Sequence, residues 1–386
     1  MVGLASVLLG AAVPGVTAVG TAAAASPSKS PILVGNLGPY TSTVLGPEEL
    51  DLAATPKAWV AYTNAHGGID GHPVKLEEIN DNFDPAQAVA AAKKLIADHV
   101  VAVVYDEDVA LETAYAPLLQ AAGIPVVGGQ DYDAVWETNP DLFPTMATVS
   151  TKGFADDYAA KFAKAKKLAE AYCTESSACL EDVQAQKAAS SQVGITVDVG
   201  PSAGSTQPNY TAQCVQLASY GAQAYYFSDG VAGIEHMASD CARQDLKGFW
   251  VLPQPDPTEL SNAVLSKFTI GQDLSLPYFA RLPQTKEFRA GMAKYAPGIP
   301  LQVNSLRAWS AFDVFKKAVE NEAAKPVTPA SVKAGLYKLE GFDDNGLTPP
   351  LTYTPGKGTT IKCFVVWGIK SGKFVLPKGD HYVCAP

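Results

Sequence analysis

The chain has 386 residues, of which 47% are hydrophobic and 18% are charged. This length exceeds what one simple hydrophobic core usually supports, and the composition is that of a globular protein. The formal net charge of −10 repels phosphate backbones, and the sequence has no run of interleaved basic and aromatic residues. We therefore expect no nucleic-acid partner.

The N-terminal stretch differs in composition from the rest of the chain. Val2 to Ala25 contains no charged side chain, and four alanines precede Ser26. Small residues of this kind are typical of a signal-peptidase site, so we predict a signal peptide over 1–25 and a spacer over 26–31. Glycine and proline interrupt the apolar block, which argues against a membrane-spanning helix. No cysteine stands at the predicted cleavage site, so we expect an exported protein, extracellular or associated with the cell envelope, without a lipid anchor there.

Strand and helix patterns alternate from Ile32 onward. Short apolar runs bounded by glycine or proline predict strands, and longer stretches with apolar residues at helical spacing predict helices. The first predicted strands are Ile32–Leu37, Pro73–Ile79, Val100–Tyr105 and Ile124–Val127, and the first predicted helices are Pro47–His66, Pro85–Asp98 and Leu111–Ala122. Such alternation is typical of parallel βαβ units in a doubly wound sheet.

The same pattern begins again after residues 143–148. The predicted strands there are Leu168–Cys173, Ile195–Val199, Ala222–Phe227 and Phe249–Leu252, with helices Phe154–Ala165, Leu180–Gln192, Tyr210–Tyr220 and Gly233–Arg243. Three more helices, Thr285–Tyr295, Arg307–Glu322 and Pro329–Leu339, precede a predicted hairpin formed by Ile361–Ile369 and Lys373–Leu376. The fold class is therefore α/β, with two doubly wound lobes of parallel sheet.

Two motifs near the start of the chain resemble a known family. The string NAHGGIDGHPVKL from Asn64, followed by DNFDPAQA from Asp81, resembles the type I periplasmic binding proteins of the leucine/isoleucine/valine and amide group, which deliver solutes to ABC importers. The physical chemistry agrees, because Gly67 and Gly68 suit a helix end, and Asp84 before Pro85 suits an N-cap. The string NYTAQ at 209–213, continued through 222–227, resembles the second lobe. These motifs identify the scaffold and not the ligand.

The resemblance implies two lobes joined by three crossovers, near Ala147–Thr151, Leu274–Phe279 and Leu351–Pro355. Lobe 1 then comprises 32–147 and 279–350, and lobe 2 comprises 148–278 and 351–386. The implied function is the solute-binding component of an ABC importer, a monomer that closes by a hinge over a small polar solute such as an amino acid or amide. An ABC permease would be its partner. The alternative is a ligand-sensing receptor subunit that signals through a separate membrane partner.

The six cysteines favour disulfides, because their number is even and the protein is expected in an oxidising compartment. We favour pairing between neighbours in sequence, since each bond then stays within one lobe, although free core cysteines are an alternative. The predicted pairs are Cys173–Cys179, Cys214–Cys241 and Cys363–Cys384. No CxxC pair occurs and the five histidines are scattered, so we predict neither a metal site nor a cofactor.

Ligands of open α/β sheets bind beyond the carboxyl ends of the strands, so the loops after the strands should hold the ligand-binding residues. In lobe 1 the candidates are Tyr40, Thr41, Ser42, Asp106, Glu107, Asp108, Gly129, Gln130 and Asp131. In lobe 2 they are Thr174, Glu175, Ser228, Asp229 and Gln254.

The acidic loop 106–108 departs from the Ser/Ala/Thr-rich pockets that hold amino acids in this family. A ligand carboxylate would meet like charge there, so a cationic or donor-rich neutral ligand fits better. The alternative is that these acids face solvent or cap helices. Tyr40 is expected to lie over the ligand, with a half-buried loop aromatic as its alternative.

A hydrolase-like string, GPSAG at 200–204, is the one sequence feature that points towards catalysis. A nucleophile elbow requires a helix directly after the serine, whereas the composition that follows here is that of a loop. We therefore predict a binding protein without enzymatic activity.

Overall fold

The computed structural model describes residues 1–3, 29–41, 52–108, 111–175, 177–322 and 326–386. The first part of the chain alternates strands and helices as predicted, although most of the predicted signal peptide and spacer and residues 47–51 of the first predicted helix lie outside the described residues. Its strands are β1 (Ile32–Gly38), β2 (Val74–Asn80), β3 (Val103–Asp106), β4 (Val126–Gly129) and β5 (Leu142–Phe143), and its helices are α1 (Ala54–Ala65), α2 (Pro85–Ala97), α3 (Glu112–Ala121) and α4 (Val135–Thr138).

The second part repeats the alternation. It contains α5 (Val149–Phe162), β6 (Lys167–Cys173), α6 (Ser177–Val193), β7 (Thr196–Ala203), α7 (Thr211–Ser219), β8 (Ala224–Ser228), α8 (Val231–Arg243), β9 (Phe249–Leu252) and β10 (Phe268–Asp273). The remainder contains α9 (Lys286–Tyr295), α10 (Val303–Glu322), α11 (Pro329–Leu336), β11 (Glu340–Phe342), β12 (Leu351–Thr352), β13 (Cys363–Lys370), β14 (Lys373–Val375) and β15 (Val383–Cys384). None of the helices in the described residues is long and apolar enough to cross a membrane.

Two sheets define two lobes. The lobe 1 sheet has the order β2-β1-β3-β4-β5, and all its pairs are parallel. The lobe 2 sheet has the order β14-β13-β10-β9-β8-β6-β7, with β10, β9, β8, β6 and β7 parallel and β13 antiparallel to β10. The predicted fold class, two doubly wound lobes, is confirmed.

The chain passes between the two sheets three times, between β5 and α5, between β10 and α9, and between β12 and β13. The three passages are hydrogen-bonded to one another. The Ala147 N–H donates to the Leu274 carbonyl at 2.7 Å, and the Thr148 N–H donates to the Ile361 carbonyl at 3.1 Å. The Thr151 hydroxyl also donates to the Ile361 carbonyl, at 3.0 Å. These bonds gather the passages into one three-segment hinge.

The local structure of the family motif follows from its glycines and its cap. Gly68 has φ +73°, and a Cβ there would lie 2.1 Å from the His72 carbonyl oxygen, so only glycine fits this turn. The Asp84 carboxylate accepts hydrogen bonds from the Ala86 and Gln87 N–H groups, both at 2.9 Å, and caps α2 as predicted.

Three sequence predictions about strands were wrong: one strand was missed, and two strands end later than predicted. β10 was missed, because its run FTIGQD ends in two polar residues that the fold buries completely. β4 extends through Gly129, which was expected in a loop; a Cβ at Gly129 would lie 2.6 Å from the Trp136 ring, so packing requires glycine there. β7 runs through Ser202, which places the hydrolase-like serine within a strand rather than on an elbow.

All three predicted disulfides are present, and all three lie in lobe 2. Cys173–Cys179 joins the end of β6 to α6, Cys214–Cys241 joins α7 to α8, and Cys363–Cys384 joins β13 to β15. The predicted β13–β14 hairpin is also confirmed.

The loop lengths predict how much the disulfides of lobe 2 stabilise it. Closing the 27-residue separation of Cys214–Cys241 should contribute about 3.5 kcal/mol, and the 6-residue separation of Cys173–Cys179 about 2 kcal/mol, because a longer loop removes more entropy from the unfolded chain. Urea unfolding of the two paired Cys→Ala variants should therefore show the larger loss for Cys214–Cys241. An equal or reversed order would contradict this ranking.

Candidate functional site

The loop after β1 is anchored to the neighbouring strand through Tyr40. Tyr40 is only 9% exposed, and its hydroxyl donates to the side-chain oxygen of Asn36, whose amide donates to the Val104 carbonyl at 2.9 Å. Thr41 is exposed; its hydroxyl donates to Asn82 Oδ1 at 2.6 Å. Ser42, the third predicted residue of this loop, lies outside the described residues. The Tyr40 ring is thus nearly buried and held by a hydrogen bond, whereas the sequence predicted a ring that lies over the ligand.

The acids at 106–108 are fully buried, so they neither face solvent nor cap a helix. The Tyr115 hydroxyl donates to Asp106 Oδ2 at 2.5 Å, and the Asp108 N–H donates to Asp106 Oδ1 at 3.2 Å. Burial, with the charges of Asp106 and Asp81, raises the pKa of Asp108 to about 10. Asp108 therefore keeps its proton at neutral pH.

The loop after β4 is also buried and lies against this acidic segment. The Gln130 N–H donates to the Asp106 carbonyl at 2.9 Å, and its side-chain amide donates to the Glu107 carbonyl at 3.1 Å. Burial raises the pKa of Asp131 well above its ordinary value, although the N–H of Met146 and the charge of Arg307 favour its ionised form. Hydrogen bonds thus join Gln130 to the buried segment 106–108 at the carboxyl edge of lobe 1.

The corresponding edge of lobe 2 presents two carboxylates. Glu175 is exposed and accepts from the Ser205 N–H at 2.8 Å and the Ser205 hydroxyl at 3.0 Å; Thr174, beside it, is exposed as well. The Ser205 hydroxyl also lies 2.7 Å from Asp229 Oδ1, which accepts from the Gly230 N–H at 2.8 Å. Although slight burial acts to raise it, the hydrogen bonds from Ser205 leave the pKa of Glu175 lowered, whereas burial raises that of Asp229. Ser205 was not predicted, because β7 was expected to end before it.

Ser228, at the tip of β8, belongs to a buried ionic network. Its hydroxyl donates to Asp182 Oδ2 at 2.7 Å, and Lys152 Nζ donates to Asp182 Oδ1 at 2.7 Å. Lys152 also donates to Asp156 at 3.0 Å and to the Tyr226 hydroxyl at 2.7 Å. The charge of Lys152 is therefore already neutralised within lobe 2.

A second polar network joins the two lobes. The Tyr132 hydroxyl, beyond β4, donates to Gln254 Oε1, beyond β9, at 3.0 Å. Arg307 Nη1 donates to the Tyr132 hydroxyl at 2.8 Å, and Arg307 Nη2 donates to Asp273 Oδ1 at 2.6 Å. The Arg307 and Asp273 side chains are 1% and 0% exposed. Of these residues only Gln254 was predicted, although Tyr132 also follows a strand end and could have been found by the same rule.

The charges at the facing strand ends are therefore unequal. Lys152 of α5 and Arg307 of α10, two cations that lie beside these strand ends, are each held in a buried salt bridge. Glu175 is exposed and Asp229 is partly exposed. Within the described residues no group of three or more His, Cys, Asp or Glu side chains is arranged to hold a metal ion. The accessible charged groups described at these strand ends are therefore hydrogen-bond acceptors.

Residues 31–373 match the protein family described as periplasmic binding protein. The chain belongs to this family. A search of curated protein sequences gave no match. The fold is that of a type I periplasmic binding protein, in which two lobes face one another at the carboxyl ends of their strands.

Solved structures of periplasmic binding proteins share this fold across nearly their whole length. An extracellular ligand-binding receptor from Verminephrobacter eiseniae matches with a TM-score of 0.78 at 18% identity, covering 89% of this chain and 99% of that chain. A fatty acid ABC transporter substrate-binding protein from Thermomonospora curvata matches with a TM-score of 0.77 at 17% identity, covering 94% of this chain and 95% of that chain. A leucine-binding protein from Thermotoga maritima matches with a TM-score of 0.73 at 16% identity, covering 92% of this chain and 99% of that chain. The ligands named for the last two differ, so this fold alone does not fix the ligand.

A cavity of about 430 Å³ lies away from these strand ends. It opens on lobe 1 between α9, α10 and the turn at 344–347, and none of the predicted site residues lines it. Its acidic lining residues are Glu287, Asp313 and Asp344.

The raised pKa of Asp108 predicts an alkaline loss of stability. In the unfolded chain an aspartate loses its proton near pH 4, whereas folded Asp108 keeps it until about pH 10. Between these values the folded state binds more protons, so the free energy of unfolding falls as pH rises. Asp108→Asn, which cannot ionise, should match the native protein near pH 4 and exceed its melting temperature increasingly towards pH 9.

The matched control for this thermal-unfolding series is Asp70→Asn, because Asp70 is exposed and its positive φ of 48° suits asparagine. The control should follow the native pH profile. If Asp108→Asn also runs parallel to the native profile, then Asp108 does not hold a proton in the folded protein.

Proposed function

We propose that this protein is the exported solute-binding component of an ABC importer. It binds a small polar solute between its lobes and closes by rotation about the three-segment hinge. The observation that carries the proposal is the convergence of both carboxyl edges at Tyr132 and Gln254, whose side chains meet across the lobes at 3.0 Å. The hinge is thin enough to bend, since it consists of three short passages.

The exposed acids support a ligand that is cationic or rich in hydrogen-bond donors. Glu175 and Asp229 both lie within hydrogen-bond distance of the Ser205 hydroxyl. Each carboxylate can accept further hydrogen bonds from a solute. Thr41 and Gln254 add neutral polar groups from the two lobes. A free carboxylate would find the cations of the site, Lys152 and Arg307, already paired. An amide or amine, rather than a simple carboxylic acid, is therefore the proposed ligand class.

The buried residues of lobe 1 have a supporting part in this proposal. Buried residues at the carboxyl ends of β3 and β4 are Asp106, Glu107, Asp108, Gly129, Gln130 and Asp131. They would reach the ligand through Gln130 and Asp131 only when the loops above them rearrange on closure. We propose Thr41, Thr174, Glu175, Ser228, Asp229 and Gln254 as the direct contacts, with Tyr132 added to them.

We propose export and partnership with a membrane permease because the family is one of solute-binding proteins that serve ABC transporters. The matching family is one of binding proteins, which supports binding without turnover. The alternative, a receptor subunit that signals through another membrane protein, uses the same closure. Adjacent permease genes would favour transport, and adjacent kinase genes would favour sensing.

A thermal-shift screen tests the ligand class. Amino acids, amides, polyamines, sugars and aromatic acids should be screened, and an amine or amide should raise the melting temperature with its concentration. For that solute, Glu175→Gln combined with Asp229→Asn should weaken binding roughly tenfold or more, because charge-assisted hydrogen bonds are lost. Isothermal titration calorimetry measures the change.

The matched control is Glu340→Gln combined with Asp245→Asn, which removes the same charge from exposed positions outside the loops that follow the strands of the two lobe sheets. The control should bind the solute with native affinity. Stabilisation by carboxylic acids alone would contradict the ligand class, and a mass-spectrometric product of the solute would contradict a binding function.

A further inference from the structure

The edge of the lobe 2 sheet that faces away from the strand-end site is strongly basic. We call this the amino edge, since β6, β8, β9 and β10 begin there while β13 ends and β14 begins there. The residues that the topology brings to it are rich in lysine. They are Lys161, Lys164, Lys166, Lys167, Lys247, Lys267, Lys370 and Lys373.

The pairing register places Lys167, Lys370 and Lys373 on one edge, and the other five lysines precede β6, β9 or β10 by at most six residues. Phe268 pairs with Lys370, which pairs with Lys373, so the starts of β10 and β14 lie beside the end of β13. On the other side, Lys167 at the start of β6 pairs with Thr196 of β7. Five strand spacings separate β14 from β6, which makes the row about 24 Å long.

Most of this positive charge is not neutralised by the protein. Lys167 pairs with Asp198 at 2.7 Å, and Lys247 pairs with Asp245. The other six lysines of the amino edge make no salt bridge within the described part of the chain. This concentration stands out in a chain whose formal net charge is −10.

Exposed aromatic rings accompany the lysines. Phe268, at the start of β10, is 45% exposed, and Phe162, at the end of α5, is 38% exposed. Elsewhere in the described residues, exposed large hydrophobic side chains occur only at Met1, Val2 and Val215. Lysine beside exposed phenylalanine is a composition suited to a membrane surface, where the ring enters the headgroup boundary and the ammonium groups attract anionic lipid.

We propose that the amino edge of lobe 2 docks on a membrane leaflet that contains anionic lipid. A row of flexible lysines without salt-bridge partners complements a uniformly negative surface. The acids of the rest of the protein oppose docking little, because salt screens charges beyond about 8 Å at physiological ionic strength. Docked in this way, the protein keeps its strand-end site directed away from the bilayer and open to solute, so this surface is independent of the ligand site.

Vesicle co-sedimentation tests the proposal. The native protein should bind vesicles of phosphatidylcholine mixed with phosphatidylglycerol, should not bind phosphatidylcholine alone, and should dissociate at high salt. The affinity of the charge-reversed variant K267E/K370E/K373E for the mixed vesicles should fall by roughly tenfold or more, because each lysine near an anionic surface contributes to the attraction. Phe268→Ser should lower the binding that remains at intermediate salt.

The matched control is K75E/K93E/K286E, which makes the same change in net charge at exposed lysines of lobe 1. It should keep most of the vesicle binding, and both variants should keep the native melting temperature. Equal losses in the two variants would overturn the proposal, since net charge rather than this edge would then govern binding. Binding of the native protein to soluble polyphosphate but not to the mixed vesicles would also overturn it and would identify a soluble polyanion as the partner.

Discussion

The buried ion pair between Arg307 and Asp273 is the interaction on which the relation between the two lobes depends. Arg307 belongs to α10 of lobe 1 and Asp273 ends β10 of lobe 2, and their side chains are almost fully buried at 2.6 Å. Removing one partner of such a pair costs about 3–5 kcal/mol, because the other charge stays buried without compensation. The same guanidinium orients the Tyr132 hydroxyl, which meets Gln254 across the lobes. One arginine thus links the hinge to the facing strand ends.

The distribution of charge over the surface depends on which cationic side chains are buried in salt bridges. Lys152 and Arg307 serve the interior, where each satisfies carboxylates that the fold buries. The facing strand ends are left with the accessible carboxylates Glu175 and Asp229, which supports a donor-bearing solute. The eight lysines of the amino edge lie instead at the opposite edge of the lobe 2 sheet. The molecule therefore separates strand ends whose accessible charges are acidic from an edge that is rich in lysine.

The sequence was sufficient for the architecture, because apolar runs, glycine stops and the Asp84 cap are local signals. It was also sufficient for the disulfides, since neighbouring cysteines fall on adjacent elements. It was insufficient for β10, whose Gln272 and Asp273 look exposed by composition but are buried by the hinge. Likewise the acidic loop 106–108 was expected at a solvent-facing mouth, yet packing with Tyr115 and Asp81 buries it. Arg307 was predicted only as the start of a helix, because its partner lies 34 residues away in another lobe.

The central claim is that one solute contacts the strand ends of both lobes. Hydrogen–deuterium exchange, measured with and without the most stabilising solute of the thermal-shift screen, tests it directly. The account predicts added protection in the loop that contains Thr41, in the segments at 130–132, 174–175 and 228–229, and around Gln254. Protection confined to one lobe, or centred on the cavity beside Glu287 and Asp344, would contradict it.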